Sequence, residues 1–281
     1  MAYADAEIVR PRPATHARVG SRRAPARGFL AVSALLFAAS VVGTIVWCAS
    51  MSAMGDMPMP GGWTMSMAWM RMPGQTWPGA VAAFLGMWVV MMAAMMLPSL
   101  VPMLGRYRQV VDRAGEPRLG RLTALVGVAY FFMWTLFGAV VFPLGVALAT
   151  IEMQRPALAR AVPTAVGVVV LLAGCLQLTA WKARQLACCQ EGPACDGPLP
   201  AEMGTAWRYG LRLGLHCGSC CIGLAAILLV TGVMDLRVMA VVAAAITAER
   251  LVPAGARVAR AIGAIAIAAG VFLIARAAGL G

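Results

Sequence analysis

The chain has 281 residues, of which 61% are hydrophobic and only 12% are charged. That composition is too apolar for a soluble domain of this length and indicates a polytopic membrane protein. The net charge of +12 would suit a nucleic-acid-binding protein, but Arg and Lys in a membrane protein mostly mark cytoplasmic loops. We therefore expect membrane lipids as partners and no nucleic acid.

Apolar segments long enough to cross a bilayer recur along the chain, since a transmembrane helix needs about 20 apolar residues. The segment 238–247 is short, and a re-entrant helix would also fit it. The total is seven spans, or six if this segment does not cross. The sequence predicts an all-α fold, a polytopic transmembrane helix bundle. The predicted spans are residues 29–47, 80–104, 122–150, 161–181, 211–233, 238–247 and 261–275.

The distribution of basic residues predicts the orientation of the bundle. Eighteen of the 23 Lys and Arg residues lie in the N-terminal tail and in alternate connections between the predicted spans. Basic residues accumulate on the cytoplasmic side, so we expect a cytoplasmic N-terminus in the plasma (inner) membrane of a bacterium. Residues 1–28 then form a basic, disordered cytoplasmic tail, and residues 29–281 form a single integral membrane domain. Its first connection, residues 48–79, is an external loop.

Within that loop, eight of the 22 residues in MSAMGDMPMPGGWTMSMAWMRM (51–72) are methionine, and its Gly and Pro content argues against one regular helix. A neutral thioether forms no disulfide and suits the soft ion Cu(I). The alternative is that Met, a flexible hydrophobe, packs the loop onto the membrane surface. The candidate ligands in the loop are Met54, Met57, Met59, Met65, Met67, Met70 and Met72.

The next span continues the sulfur-rich pattern. Met87, Met91 and Met95 recur at i, i+4 and i+8, which places them on one face of a helix. Met92 and Met96 follow an adjacent line along the same helix. Helix packing alone would explain such a stripe, but its continuity with the loop makes the first three residues candidate metal ligands.

The fifth span contains LHCGSCCIG, which combines a histidine with three cysteines. His216 is an ionisable residue inside an apolar span, and such residues are functional candidates. Together with Cys217, Cys220 and Cys221 it forms a candidate metal-binding cluster. Cys-x-x-Cys also occurs in redox enzymes, and small residues also allow close helix packing. Weaker candidates, on the cytoplasmic side, are Cys188, Cys189 and Cys195. Glu249 and Arg250 are expected to form a local ion pair at the membrane interface.

Two stretches resemble a bacterial family of unknown function described as metal-binding integral membrane proteins. They are MWVVMMAAMMLPSLVPM (87–103) and CGSCC…GVMDLRVM…ER (217–250). Ser219 stands where the family has Gly, Asp235 where Asn is usual and Arg250 where Lys is usual. The Cys and Met positions are intact. The resemblance implies metal binding and copper handling.

These observations favour a non-enzymatic membrane protein that binds a soft metal, Cu(I), for handling, delivery or transport. The loop would capture the ion, and the methionine face would pass it inward to the Cys/His cluster. No GxxxxGK[ST] motif occurs, so no nucleotide is expected. A copper-dependent membrane enzyme or a periplasmic copper carrier would be the partner. The alternatives are a thiol–disulfide oxidoreductase using Cys217 and Cys220, and a structural or assembly subunit.

Overall fold

A computed structural model describes residues 16–53, 55, 57–71, 74–113, 117–191 and 202–279. Over these residues the chain folds into eight α-helices, one short hairpin and one 3-10 turn, which confirms the predicted all-α class. The elements in chain order are α1 (His16–Ala53), β1 (Met57–Met59), β2 (Trp63–Met65), the 3-10 turn (Met67–Trp69), α2 (Trp77–Arg113), α3 (Leu119–Gln154), α4 (Pro156–Gln177), α5 (Ala180–Glu191), α6 (Met203–Thr231), α7 (Leu236–Leu251) and α8 (Gly255–Ala277).

Six helices of the described chain are long and apolar enough to cross a membrane, namely α1, α2, α3, α4, α6 and α8. This agrees with the prediction of six to seven spans. α7 has 16 residues, so its length is about 24 Å, short of the hydrocarbon thickness of about 30 Å. α1 begins at His16 and therefore includes residues 16–28 of the basic N-terminal tail.

The hairpin marks one end of the bundle. Met59 and Met65 pack against Ala149 in the last turns of α3 and Ala159 in the first turns of α4. At the same end, the Cys48 thiol of α1 lies 4.0 Å from the Met234 sulfur, just before α7 begins. We refer to this as the hairpin end, and to the other as the α5 end.

α4 and α8 pack backbone to backbone along a line of glycines. A Cβ atom at Gly174 would lie 2.8 Å from the carbonyl oxygen of Gly263, and one at Gly270 would lie 2.6 Å from the amide nitrogen of Leu171. Gly263 lies nearer the end of α4, next to Gln177. The two helices are therefore antiparallel, and α8 runs toward the hairpin end. It follows that α7 brings the chain from the hairpin end back to the α5 end.

α3 and α6 also approach closely, again through glycines. A Cβ at Gly210 would lie 2.5 Å from the carbonyl oxygen of Val126, and one at Gly214 would lie 3.0 Å from that of Tyr130. The absence of side chains at these two positions lets the helices touch at the backbone. Cys217 lies one turn beyond Gly214, so the contact places Tyr130 beside it.

Candidate metal centre

Four cysteines from two helices are buried in the core. Cys217, Cys220 and Cys221 lie on α6, and the Cys189 thiol of α5 reaches the carbonyl oxygen of His216 on the same helix. None of the four is more than 3% exposed. We call these residues the thiol network. It contains three predicted ligands and one residue, Cys189, that the sequence marked only as a weak candidate.

Helix periodicity explains why these residues converge. On α6, Cys217 is three residues from Cys220 and four from Cys221, so the three thiols share one face. On α5, Lys182, Leu186 and Cys189 recur at i, i+4 and i+7 and form its buried face. The neighbouring Cys220 thiol, together with burial, raises the pKa of the Cys189 thiol.

Two further side chains, from α2 and α3, complete the surroundings of Cys217. The Tyr130 hydroxyl lies 2.7 Å from Cys217 Sγ, and either atom can donate. The same sulfur lies 3.9 Å from the Met96 sulfur. Met96 therefore adds a thioether to the four thiols. It belongs to the second line of methionines on α2, one residue beyond the predicted ligand Met95.

Arg250 is a buried cation that faces the thiol network. It is 6% exposed, and its Nη2 donates to Cys221 Sγ at 3.2 Å and to the Cys217 carbonyl oxygen at 3.2 Å. Its Nη1 lies 3.4 Å from Ser99 Oγ, and its Nε has no hydrogen-bond partner among the described residues. No carboxylate of the described residues forms an ion pair with Arg250. Since a buried charge needs a counter-charge, the neighbouring sulfurs are the groups placed to supply it.

The expected local ion pair between Glu249 and Arg250 is replaced by two separate interactions. Glu249 forms an ion pair with Lys182 of α5 at 2.7 Å and accepts a hydrogen bond from Gln177 of α4 at 2.6 Å. Lys182 also donates to the Cys220 carbonyl oxygen at 2.6 Å. Consecutive residues on a helix point about 100° apart, so these neighbours contact different helices. The Lys182 side chain thereby holds α5 against both α6 and α7.

His216 occupies a different environment from the thiols. It is half-buried, and its imidazole forms no hydrogen bond with any described residue. Its backbone carbonyl oxygen accepts from Cys189 Sγ at 3.9 Å. The structure therefore brings the backbone of His216 to the thiol network and shows no hydrogen bond between its ring and the sulfurs.

The predicted methionine stripe lies inside the bundle. Met87, Met91 and Met95 are each 6% exposed or less and belong to the main core. Met96 lies 19 residues after Trp77, where α2 begins, so it lies about 28 Å along the helix. The stripe thus leads from the hairpin end toward the thiol network. Its members also pack as ordinary core residues, so packing and metal passage both fit this position.

The hairpin gathers three of the loop methionines on one face. Met57 pairs with Met65, and Met59 pairs with Trp63. Side chains of paired residues, and of residues two apart in a strand, share a face. The Trp63 indole donates to the carbonyl oxygen of Ala159 at 2.9 Å, which fixes this face against α4. The three methionines therefore lie on one face of the hairpin, and Met59 and Met65 are also buried against apolar side chains.

The other loop methionines are spread along the chain. Met67 and Met70 lie in and just after the 3-10 turn and are half-buried. Met54 and Met72 fall outside the described residues. Across the residues that the structure describes, no group of three or more His, Cys, Asp or Glu side chains is arranged as a metal site.

The fold and this core define a helical protein with membrane-spanning dimensions and a buried, sulfur-rich centre. Residues 85–273 match the family described as copper chaperones (PpoB2), and because this is more than half of the chain, the protein belongs to that family. The matched region contains the thiol network, Met96 and Arg250, whereas α1 and the hairpin precede it. No protein of curated function and no solved structure matches the chain.

Proposed function

We propose that this chain is a membrane copper chaperone that carries Cu(I) in its core, with Cys217 and Cys221 as thiolate ligands and the Met96 thioether beside them. The observation that carries the proposal is the contact of the buried Arg250 guanidinium with Cys221 Sγ. Soft sulfur ligands favour Cu(I) over harder ions. Two sulfur donors are enough for Cu(I), which accepts low coordination numbers.

Charge supports this assignment. Two thiolates and one Cu(I) ion carry a net charge of −1, and the Arg250 guanidinium carries +1. The cargo and its ligands are therefore neutralised inside the bundle, where an uncompensated charge would be strongly unfavourable. Close helix packing alone would require small side chains but no guanidinium at this position.

The hairpin is the proposed capture site for the cargo, and the methionines of α2 are the proposed route inward. Met57, Met59 and Met65 share one hairpin face, and the buried stripe leads from that end of the bundle toward Met96. We place the hairpin outside the plasma membrane and the N-terminus in the cytoplasm because basic residues concentrate at the α5 end. A periplasmic copper carrier or a copper-dependent membrane enzyme would then exchange copper at the hairpin.

The runner-up function, a thiol–disulfide oxidoreductase, is disfavoured by burial. Exchange requires a thiolate to reach a partner's disulfide and form a mixed disulfide. Cys217 and Cys220 are 1% and 2% exposed, so a protein substrate cannot reach them without opening of the bundle.

Anaerobic purification in detergent followed by Cu(I) titration and elemental analysis tests the proposal. We expect the native protein to bind Cu(I) in the core, and the Cys217→Ser/Cys221→Ser variant to lose this binding, because a hard hydroxyl replaces each soft ligand. Cys175→Ser is the matched control, since Cys175 is an exposed cysteine of α4. Equal copper in all three proteins would refute the proposed site. A trapped Cys217–Cys220 disulfide in the native protein would favour the oxidoreductase instead.

A further inference from the structure

We infer that the Cys48 thiol of α1 and the Met234 thioether, which precedes α7, form a second Cu(I)-binding site at the hairpin end of the bundle. This inference rests on the proposed function and adds a site to it. The ion reaches its first thiolate here, before it enters the methionine stripe of α2 and moves on to Cys217 and Cys221.

The two sulfur atoms come from distant parts of the chain and meet at one point. Cys48 Sγ lies 4.0 Å from Met234 Sδ, although 186 residues separate them in sequence. Bonds from a thiolate to a first-row metal ion such as zinc are about 2.3 Å long, so two sulfurs that share one ion of this kind lie at most about 4.6 Å apart. The pair can therefore hold an ion between its sulfurs with little movement of either side chain.

Cys48 is a free thiol that the bundle shields from solvent. It is 4% exposed and belongs to the main core, whereas Met234 is half-buried. Free thiols outside the cytoplasm tend to be oxidised, so this burial keeps the thiol available as a ligand. The next residues, Ala49 and Ser50, are exposed, and α1 ends at Ala53. The pair therefore lies just beneath the surface of the hairpin end.

The pair also lies beside the start of the buried methionine stripe. A Cβ atom at Gly86 of α2 would lie 3.9 Å from the Trp47 side chain of α1. Cys48 follows Trp47 in sequence and Met87 follows Gly86, so the two sulfur residues lie within about one helical turn, or about 5 Å, along the axis. Both belong to the same core. An ion held at Cys48 is therefore close to the outermost methionine of the proposed route.

The number of thiolates increases from the surface to the core. The hairpin offers only neutral thioethers, the pair adds the thiolate of Cys48, and the proposed core site has two thiolates, Cys217 and Cys221. Each added thiolate strengthens the binding of a soft cation. One thiolate, one thioether and Cu(I) together are neutral, so the pair needs no counter-charge of the kind that Arg250 supplies in the core.

Binding at the pair is a ligand exchange that keeps copper as Cu(I). The ion forms bonds to Cys48 Sγ and Met234 Sδ as its bonds to the carrier break, and the thiol proton of Cys48 is released to water at the nearby surface. In onward transfer, Cys48 regains a proton as the ion bonds to the next sulfur. Charge is conserved, and no oxidant or reductant is needed.

The test counts the Cu(I) ions that the full-length protein retains in titrations against bicinchoninate, a Cu(I) chelator that removes weakly held copper from the hairpin thioethers. We expect two ions in the native protein and one in each of Cys48→Ser and Cys217→Ser/Cys221→Ser. Met234→Leu should lower the affinity of the outer site by about tenfold or more, because a soft donor is lost. Met153→Leu is the matched control, since Met153 is an exposed methionine in the last turn of α3 at the same end.

The outcomes separate this inference from the proposed function. Two retained ions in Cys48→Ser would overturn the inference, as would native affinity in Met234→Leu. An ion lost from Cys48→Ser but not from Cys217→Ser/Cys221→Ser would support the pair and refute the core site. A native protein that retains no Cu(I) would refute both.

A second measurement uses the native protein and so does not depend on a variant that folds. The rate at which N-ethylmaleimide alkylates Cys48 is followed with and without two equivalents of Ag(I), which stands in for Cu(I). We expect Ag(I) to protect Cys48, while the exposed Cys175 reacts equally in both samples. An unchanged rate at Cys48 beside a protected Cys217 would overturn the inference.

Discussion

Arg250 Nη2 lies 3.2 Å from Cys221 Sγ, with the guanidinium on α7 and the thiol on α6. The contact joins the short seventh helix to the cysteine motif of the sixth, and the same nitrogen also reaches the Cys217 carbonyl oxygen. A guanidinium is always charged at physiological pH. The thiol network is therefore built around a permanent positive charge.

Replacing that charge should weaken copper binding. We expect Arg250→Met to lower the Cu(I) affinity by about tenfold or more, or about 1.4 kcal/mol per tenfold, because the anionic copper–thiolate group would lose its counter-charge. Arg250→Lys should retain part of the affinity. Competitive titration against bicinchoninate measures it, and size-exclusion elution checks the fold. Native affinity in a folded Arg250→Met protein would place the copper site elsewhere.

Met96 and Met95 offer a matched pair of neighbouring methionines. Both are buried on α2, but only Met96 contacts the thiol network through a hydrogen bond. We expect Met96→Leu to lower Cu(I) affinity by roughly threefold to tenfold through loss of a soft donor, with Met95→Leu close to native. Equal affinities for the two variants would mean that Met96 packs in the core and does not bind the metal.

The role of the hairpin methionines in metal binding can be tested by replacing their sulfur atoms while keeping the volume of the side chains. Met→Leu at 57, 59 and 65 together should reduce Ag(I) uptake at the hairpin end, with a stability change of less than about 1.5 kcal/mol per site because volume is conserved. Isothermal titration and thermal unfolding in detergent measure the two effects. If Ag(I) uptake is unchanged, the three residues serve only to pack the hairpin on α3 and α4.

The orientation of the bundle predicts which surfaces an impermeant reagent reaches. Thr64 is exposed on the hairpin and Ala187 is exposed on α5. In a background without Cys48 and Cys175, Thr64→Cys should react with an impermeant maleimide in whole cells, whereas Ala187→Cys should react only after lysis. The reverse pattern would invert the topology.

The glycine contact between α4 and α8 should be intolerant of even one methyl group. A Cβ at Gly174 would lie 2.7 Å from the amide nitrogen of Ile267, whereas one at Gly127 of α3 would meet nothing within 4 Å. We expect Gly174→Ala to destabilise the fold by about 1–3 kcal/mol. Gly127→Ala is the control and should be neutral or slightly stabilising. Thermal unfolding compares the two variants. Equal stability would mean that α4 and α8 accommodate the added methyl group without a loss of stability.

Hydropathy and periodicity were sufficient to predict the membrane-spanning helices and the shared face of Cys217, Cys220 and Cys221, because both features depend on local sequence. They could not predict that Met96, rather than Met95, reaches the thiols. Consecutive helix residues point about 100° apart, and the packing of the neighbouring helices decides which of the two faces the thiol network. Because α5 is polar, hydropathy did not identify it as a helix, although it supplies Cys189. Glu249 and Arg250 look like a local pair in the chain, and only the packing of α7 against its neighbours separates them.

A permanent cation in the core also bears on which metals the centre accepts. With two thiolates and Arg250, a monovalent ion leaves the group neutral, but a divalent ion leaves a buried charge of +1. Desolvating that charge costs several kcal/mol, and Zn(II) binds thiolates well enough that ligand type alone would not reject it. We therefore expect Ag(I) to displace Cu(I) from the native protein and excess Zn(II) to leave it bound, whereas Arg250→Met should become sensitive to Zn(II). Selectivity would then be set by valence, through a residue that does not touch the metal.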